Sequence, residues 1–124
     1  MAVITFYEAT PIDTQQLTEA LNDTDHYWQY VDKPLTPENA TPDAEVISVF
    51  IHSNITSEVM DRMPKLKLIA VRTSSFDHID LDHARMRNIV VVNVPSFGEN
   101  TVAEHAFSLL LALTRQLPRT LEET

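Results

Sequence analysis

The hydrophobic residues of this chain fall into five short runs, each nearly continuous and separated from the next by a polar segment. The runs are rich in β-branched and aromatic residues, as strands are. A strand without polar alternation is buried on both faces, which is typical of a parallel sheet covered by helices. The pattern therefore predicts five buried strands, at Ala2–Tyr7, His26–Val31, Val46–Ile51, Leu66–Val71 and Ile89–Val92.

Signals for the start of a helix lie in the segments between these runs. Two of them have the capping-box spacing, in which a short polar residue is followed three positions later by Glu or Gln. The first predicted helix begins at Asp13, with Gln16 as its capping-box partner. Two short helices are predicted at Thr56–Met63 and Asp80–Arg87. The last begins at Thr101, with Glu104 as its capping-box partner, and ends at about Gln116. The segment from Lys33 to Asp43 contains three prolines, so it predicts a loop.

Strands that alternate with helices along a chain predict an α/β domain with a parallel sheet. A chain of 124 residues fits a single such domain. The expected fold class is a flavodoxin-like, doubly wound α/β domain with a five-stranded sheet, followed by a long apolar helix at its carboxyl end.

Net charge, cysteine content and the length of the apolar runs limit the binding partners and the cellular location that we expect for this chain. There are 18 acidic and 9 basic residues, and the net charge of −9 argues against binding to nucleic acid or to an anionic membrane. The absence of cysteine excludes a disulfide framework and thiolate chemistry. No signal peptide is recognisable at the start, and the longest apolar run, Leu109–Leu113, is too short to span a bilayer. We expect a cytoplasmic protein.

Candidate chemistry lies where the predicted strands end, because ligands of open α/β sheets bind beyond the carboxyl ends of the strands. The segments at that edge are Tyr7–Pro11, His52–Ile55, Thr73–Asp77 and Asn93–Gly98. In Thr73–Asp77, hydroxyl groups and exposed backbone N–H groups would suit a bound carboxylate. Serine and threonine are also ordinary residues of strand-to-helix loops, so the residues alone leave both interpretations open.

Two motifs in combination give the chain a resemblance to a known family. The first is Arg72-Thr73-Ser74-Ser75-Phe76-Asp77 after an apolar strand, and the second is Asn100-Thr101-Val102-Ala103-Glu104-His105 after Asn93-Val94-Pro95. Together they resemble the first half of the D-isomer-specific 2-hydroxyacid dehydrogenases, which use NAD to interconvert 2-hydroxy and 2-oxo acids. The resemblance implies a substrate-side domain that stops before the family's glycine-rich dinucleotide fold.

The resemblance also assigns roles to individual residues. The backbone amides of Ser74 and Ser75 would hold the substrate carboxylate, and Ser74 would lie near the nicotinamide end of the cofactor. The loop that contains His52 would face the substrate. In this sequence Ser75 stands where the family has a glycine, a residue that adopts positive φ freely. The family's catalytic Arg, Glu and His lie further downstream, so no residue of this chain is assigned a catalytic role.

Other candidate sites are not supported by the sequence. The five histidines lack the spacing of a metal site, and His78 and His83 are expected at the surface. Glu104 and His105 invite an acid–base interpretation, but Glu104 is taken as the capping partner of Thr101. Gly98 is the only glycine, so the glycine-rich turn that binds a dinucleotide pyrophosphate is absent.

The last predicted helix is apolar over most of its circumference, which requires burial on more than one side. We expect residues 1–99 to form the substrate domain, 100–117 a crossover and dimerisation helix, and 118–124 a tail. The hypothesis is a homodimer through the helix Thr101–Leu117, by helix pairing or by packing on the partner's sheet. The alternative is a helix that folds back onto its own sheet.

The sequence thus predicts a 2-hydroxyacid dehydrogenase-like oxidoreductase domain that acts by family on small 2-oxo and 2-hydroxy acids with NAD. The isolated chain is expected to be inactive. One alternative is a non-enzymatic dimerisation or ligand-binding module that kept the fold. Another is a fragment of a longer chain.

Overall fold

The structure, a computed structural model, describes residues 1–96, 98–117 and 119. A parallel sheet lies at its centre, with strands β1 Val3–Tyr7, β2 Tyr27–Val31, β3 Val46–Val49, β4 Leu68–Val71 and β5 Val90–Val92. The helices are α1 Pro11–Leu21, α2 Ser57–Asp61, α3 Leu81–Met86 and α4 Glu99–Thr114. The strand order β2-β1-β3-β4-β5 confirms the flavodoxin-like, doubly wound α/β fold.

The hydrophobic core lies on the face of the sheet that α2 and α3 cover. Alternate residues of each strand point to this face. Fully or nearly fully buried side chains from the sheet and from these helices form one cluster there, including Tyr7, Ile47, Val49, Ile69, Val71, Val59, Met60 and Ala84. The predicted burial of the strands is therefore complete on this face.

The opposite face of the sheet is covered only in part. Under α1, the rings of Phe6 and Tyr30 stack with centroids 5.5 Å apart, and the Tyr30 hydroxyl lies 3.0 Å from Thr18 Oγ1. At the other end of the same face, Val90 and Val92 of β5 are 55% and 44% exposed. One half of this face thus lacks a covering element in the described part of the chain.

The segment between β2 and β3 is a loop, as its prolines predict. The buried Tyr7 side chain anchors it, because its hydroxyl accepts a hydrogen bond from the Thr41 N–H at 3.0 Å and donates to the Asn39 carbonyl at 3.2 Å. Leu35 of this loop is also buried, at 2% exposure. The connection from β2 to β3 is therefore made by this loop and contains no helix.

The prediction that Asp13 caps the first helix is wrong. Thr10 is the N-cap of α1, with Pro11 in the first turn and Asp13 as the third residue of the capping box. The Asp13 carboxylate accepts the Thr10 N–H at 2.8 Å. Proline is favoured at the first helical position, where its missing N–H has no partner to lose. The helix therefore begins earlier than the Asp13 signal indicates.

The prediction that Thr101 caps the last helix is also wrong. The N-cap of α4 is Gly98 in the left-handed region at φ 74°, and no side chain caps this end. Thr101 lies inside the helix and is exposed. By contrast, Thr56 and Asp80 cap α2 and α3 as predicted, and their side chains accept from Val59 N–H and His83 N–H.

The long helix α4 does not fold back onto the sheet. Of the residues from 100 to 114, only Ala112 is half-buried and the others are exposed. Phe107 and Leu113 are 67% and 73% exposed. The alternative of a helix that covers its own sheet is therefore wrong for this structure. The predicted tail at 118–124 lies outside the described residues except for residue 119.

Candidate functional site

The candidate site is the edge of the sheet at which β1, β3, β4 and β5 end. The strands are parallel and in register, with Val46 opposite Leu68 and Leu68 opposite Val90. Their following segments therefore meet at one edge, as the sequence predicts for the loops that contain His52, Ser74 and Ser75. Two residues not assigned a role in the sequence analysis, Glu8 and Arg72, organise this edge.

Arg72 follows β4 directly and connects three strands. Its guanidinium donates to Ser48 Oγ at 2.9 Å and to the carbonyl oxygens of Tyr7 and Glu8 at 2.8 and 3.0 Å. Burial lowers the pKa of the Arg72 guanidinium, and the negative charges of Asp13 and Glu8 oppose that shift. The group stays protonated at neutral pH, since arginine is not deprotonated in proteins.

Glu8 fixes the segment that follows β3. Its carboxylate accepts the N–H groups of Phe50 and His52, each at 2.9 Å, and the hydroxyl of Ser53. The fully buried Ser53 Oγ in turn accepts the Leu35 N–H at 3.0 Å. These bonds tie the ends of β1 and β3 to the loop after β2.

The backbone of Glu8 adopts a conformation that L-residues rarely use, with φ 54°. Such a backbone conformation raises the free energy of the folded chain by on the order of 1–3 kcal/mol, and it persists where the surrounding structure holds it in place. Burial raises the pKa of the Glu8 carboxyl, but the hydrogen bonds from Ser53, His52 and Phe50 outweigh it and leave the pKa below its ordinary value. The ionised form is therefore the one that this edge stabilises.

Glu8 and Arg72 also line an open pocket of about 320 Å³ together with Thr10, Asp13 and Phe50. Its charged groups are of both signs. Most of the donors of Arg72 already serve the main chain and Ser48. The pocket therefore offers no concentrated positive charge to an anion.

The loop after β4 holds both serines at the sheet edge. Asn93 Nδ2 donates to the Ser74 carbonyl at 2.7 Å, and the Val94 N–H donates to the Thr73 carbonyl at 3.1 Å. Ser75 Oγ donates to Asp77 Oδ2 at 3.0 Å. The loop is thus fixed to the end of β5 on one side and closed by Asp77 on the other.

The backbone N–H groups of Ser74 and Ser75 remain available to a ligand. Neither N–H donates a hydrogen bond to any group in the described part of the chain, and both residues are exposed. Unpaired amides at the carboxyl edge of a parallel sheet form a suitable cradle for an anionic group. Ser75 is not among the residues with positive φ, so the serine in this position carries no left-handed strain.

His52 lies on the neighbouring segment after β3. Its N–H is bonded to Glu8, and its side chain is exposed. His78 and His83, predicted to lie at the surface, are partly buried: the His83 side chain is 19% exposed, and its Nε2 lies 2.9 Å from Asp61 Oδ1. Within the described residues, no cluster of three His, Asp or Glu side chains could hold a metal ion.

The residues that the structure describes do not fit a dinucleotide. Gly98 stands at the start of the exposed helix α4, and nothing lies within 4 Å of the position where a Cβ would be. The turns after β1, β3 and β4 contain no glycine to let a pyrophosphate approach the backbone.

Among the described residues, none of the helices has the length and apolar character that a transmembrane span requires.

Comparison with known sequences places these features in a family. The family model of the D-isomer specific 2-hydroxyacid dehydrogenase catalytic domain matches residues 4–123. A 2-hydroxyacid dehydrogenase homolog of Zymomonas mobilis is 37% identical over 101 residues, which are 78% of this chain and 30% of that protein. A D-3-phosphoglycerate dehydrogenase of Mycobacterium bovis is 39% identical over 79 residues, 64% of this chain and 15% of that protein.

Solved structures show the same relationship. D-lactate dehydrogenase from Aquifex aeolicus, complexed with NAD and lactic acid, is 36% identical with a TM-score of 0.80, over 96% of this chain and 36% of that chain. The apo-structure of D-lactate dehydrogenase from Escherichia coli is 25% identical with a TM-score of 0.76, over 98% of this chain and 40% of that chain. The chain therefore spans well under half the length of these relatives.

Proposed function

Because the chain belongs to the D-isomer specific 2-hydroxyacid dehydrogenase family, we propose that it is the substrate-side portion of such an oxidoreductase. In this proposal residues 1–99 form the substrate domain, and the helix after them leads toward a cofactor domain. The ligand is a small 2-oxo or 2-hydroxy acid, whose carboxylate binds to the amides of Ser74 and Ser75. His52, on the adjacent segment, faces the rest of the substrate.

The observation that carries this proposal is the pair of unpaired N–H groups at Ser74 and Ser75. Asn93 holds the carbonyl of Ser74, so the loop is ordered while its donors point to no group of the described chain. A carboxylate that accepts backbone N–H groups forms charge-assisted hydrogen bonds, which are stronger than neutral ones. Two unpaired donors on a loop that Asn93 holds in place therefore support the assignment of the carboxylate to this position.

NAD is the proposed cofactor of the complete enzyme, and Ser74 is proposed to lie near its nicotinamide end. The support is the family, together with the relative from Aquifex aeolicus that is complexed with NAD. The 124 residues contain neither a turn that could hold the pyrophosphate nor the family's catalytic residues. We therefore propose that this stretch alone binds the acid weakly and transfers no hydride. Its cytoplasmic location stays a prediction.

A titration followed by NMR tests the proposed carboxylate site. Pyruvate is added to the isotope-labelled 124-residue chain, and the expected result is a set of shift changes confined to the amides of residues 73–77. Acetone is the matched control ligand, because it has the keto group of pyruvate without the carboxylate. It should leave these amides unchanged. Shift changes elsewhere only, or none with pyruvate, would refute the assignment of this loop.

A second candidate function is a dimerisation module, and the exposure of α4 favours it. Val102, Phe107 and Leu113 are each more than 65% exposed. Soluble monomers rarely expose an apolar surface of this extent. We propose a homodimer through the segment Thr101–Leu117. Light scattering over a range of concentrations tests it: the dimer predicts twice the chain mass of 14.1 kDa, and a monomer at all concentrations contradicts it.

The two candidate functions are separable by experiment. If the chain is a dimerisation module that kept only the fold, it should form a dimer, and the amide shifts of residues 73–77 should not change with pyruvate. If it is the substrate-side portion of a dehydrogenase, these shifts should change whether or not the chain dimerises. Calorimetry with NADH adds a third readout, because the absence of a dinucleotide turn predicts no binding heat.

A further inference from the structure

Two consecutive peptide groups of the loop after β4 are bonded to the end of β5 through their carbonyl oxygens. The Thr73 carbonyl accepts the Val94 N–H at 3.1 Å. The Ser74 carbonyl accepts Asn93 Nδ2 at 2.7 Å. In an extended, pleated strand successive carbonyls point to opposite sides, so two consecutive bonds toward β5 require the bend that the chain makes at residues 72–74. The loop therefore presents both carbonyls to the same neighbour.

The direction of these carbonyls fixes the direction of the N–H groups that follow them. A peptide group is planar and trans, so the C=O of one residue and the N–H of the next point in opposite directions. None of the described peptide bonds is cis. The N–H groups of Ser74 and Ser75 therefore both point away from β5. The next strand on that side of β4 is β3, which is followed by the segment that contains His52.

We infer that Asn93 is a positioning residue for the substrate carboxylate. The inference rests on the proposed binding of the carboxylate to Ser74 and Ser75, and it identifies the side chain that aims one of the two donors. A carbonyl oxygen can only accept hydrogen bonds, so the NH₂ group of Asn93 faces Ser74. Because Asn93 holds the Ser74 carbonyl toward β5, it directs the Ser75 N–H to the ligand without contacting the ligand itself.

The two bonds to β5 differ in their dependence on sequence. The bond to Thr73 comes from the main chain of Val94, and any residue except proline provides such an N–H. The bond to Ser74 comes from the side chain of Asn93, which is half-buried just after β5. The Ser75 N–H is therefore the donor whose direction depends on the identity of one side chain.

Aspartate at position 93 would reverse the polarity of this peptide group. It has nearly the same shape as asparagine, but an ionised carboxylate only accepts hydrogen bonds and has no proton to offer the Ser74 carbonyl. Rotation of the peptide group between Ser74 and Ser75 relieves this contact, because the Ser75 N–H then donates to the carboxylate. The carbonyl then points to the ligand side, where it repels an anion.

The variants Asn93→Ala and Asn93→Asp test the inference, with Asn88→Asp as the matched control. Asn88 is exposed in the turn that precedes β5, at the opposite end of this strand, and its side chain has no hydrogen-bond partner among the described residues. Its left-handed backbone, with φ 56°, is one that aspartate also tolerates. Asn88→Asp therefore adds the same charge to the chain without affecting the Ser74 carbonyl.

The affinity for pyruvate, from the NMR titration of residues 73–77, is the first readout. Asn93→Ala should weaken binding roughly threefold, the effect of one neutral hydrogen bond, and Asn93→Asp roughly tenfold or more. Asn88→Asp should bind as the native chain does. Native affinity in both variants at position 93 would overturn the inference and leave the carboxylate site standing. No response of the native chain to pyruvate would refute the carboxylate site and this inference with it.

Hydrogen exchange of the Ser75 amide, measured without ligand, separates positioning from a general loss of structure. In the native chain this N–H is exposed and unbonded within the described residues, so it should exchange rapidly. In Asn93→Asp it should exchange roughly tenfold more slowly, because it donates to a charged group. A loosened loop would instead speed exchange at all of residues 73–77. Circular dichroism verifies folding, and a Ser75 exchange rate in folded Asn93→Asp equal to the native rate would overturn the inference.

Discussion

Arg72 binds the main chain of Glu8 and not its carboxylate. The guanidinium donates to the Glu8 carbonyl oxygen at 3.0 Å, while the Glu8 carboxylate accepts the N–H groups of Phe50 and His52. Among the described residues the two side chains form no ion pair, although they carry opposite charges. Each charge instead fixes the backbone of a neighbouring strand, and together they join the ends of β1, β3 and β4.

The first prediction concerns Arg72. Arg72→Met keeps an apolar stem but removes the donors to Ser48, Tyr7 and Glu8. Because partly buried acceptors then lose their partners, the free energy of unfolding should fall by about 2–3 kcal/mol in urea denaturation. Arg85→Met is the control: Arg85 is 81% exposed and its ion pair with Asp82 is 3.6 Å long, so the change should be about 0–0.5 kcal/mol. Equal effects would contradict the role of Arg72.

The second prediction concerns Glu8 and pH. The pKa of Glu8 in the folded chain lies below its ordinary value of 4.5. Its carboxylate therefore contributes stability that is fully present above pH 4.5 and is lost as the pH falls through the lower folded pKa. Glu8→Gln should lower the free energy of unfolding by about 1–2 kcal/mol at neutral pH, because the amide cannot accept all three donors. The gap between the two proteins should narrow below pH 4.5.

The measurement is chemical denaturation of both proteins from acid to neutral pH. Other carboxylates, such as Asp13, also have a lowered pKa, so only the difference between the native chain and Glu8→Gln reports on Glu8. A difference that stays constant across this range would show that the Glu8 charge does not contribute.

The third prediction compares two threonines. Thr10 caps α1 through Asp13, so Thr10→Ala should cost about 1 kcal/mol of stability. Thr101 lies exposed inside α4, where alanine is the better helix former, so Thr101→Ala should leave stability unchanged or raise it by up to about 0.5 kcal/mol. Thermal unfolding of both variants measures this. A greater loss from Thr101→Ala would restore the capping role that the sequence indicates.

Local sequence signals predicted the elements well and their ends less well. The order of strands and helices followed from continuous apolar runs, which depend only on burial. The capping errors have one cause: Asp13 and Thr101 both have a capping-box spacing, but each is preceded by residues that can begin a helix earlier. At Thr10 and Pro11 an alternative cap was in the sequence. At Gly98 a left-handed backbone begins the helix without a side-chain cap, which no polar pattern reveals.

The candidate site was predicted by position and only partly by residue. The strand ends indicated which loops meet at the edge of the sheet, because parallel strands bring their carboxyl ends to one edge. Glu8 and Arg72 were missed because their roles depend on bonds between residues more than 40 positions apart in the sequence. A lone arginine directly after a buried strand was the available signal. The roles of Ser74, Ser75 and His52 stay predictions.

The fourth prediction separates the main chain from the side chain at Ser75. Ser75→Pro removes the N–H that is proposed to hold the carboxylate, and Ser75→Ala keeps it while removing the hydroxyl. Pyruvate should bind about tenfold more weakly to the proline variant, the loss expected for a hydrogen bond to a charged group, and nearly normally to the alanine variant. The NMR titration of residues 73–77 measures both, with circular dichroism as the test of folding. The reverse order would place recognition in the hydroxyl group.

The central claim is that these 124 residues form one side of a catalytic cleft and cannot transfer a hydride alone. The most direct measurement is the loss of NADH absorbance when the purified chain is mixed with pyruvate, beside a complete D-lactate dehydrogenase as the positive control. We predict a rate equal to the protein-free background. Sustained NADH oxidation that requires both the chain and pyruvate would contradict the claim.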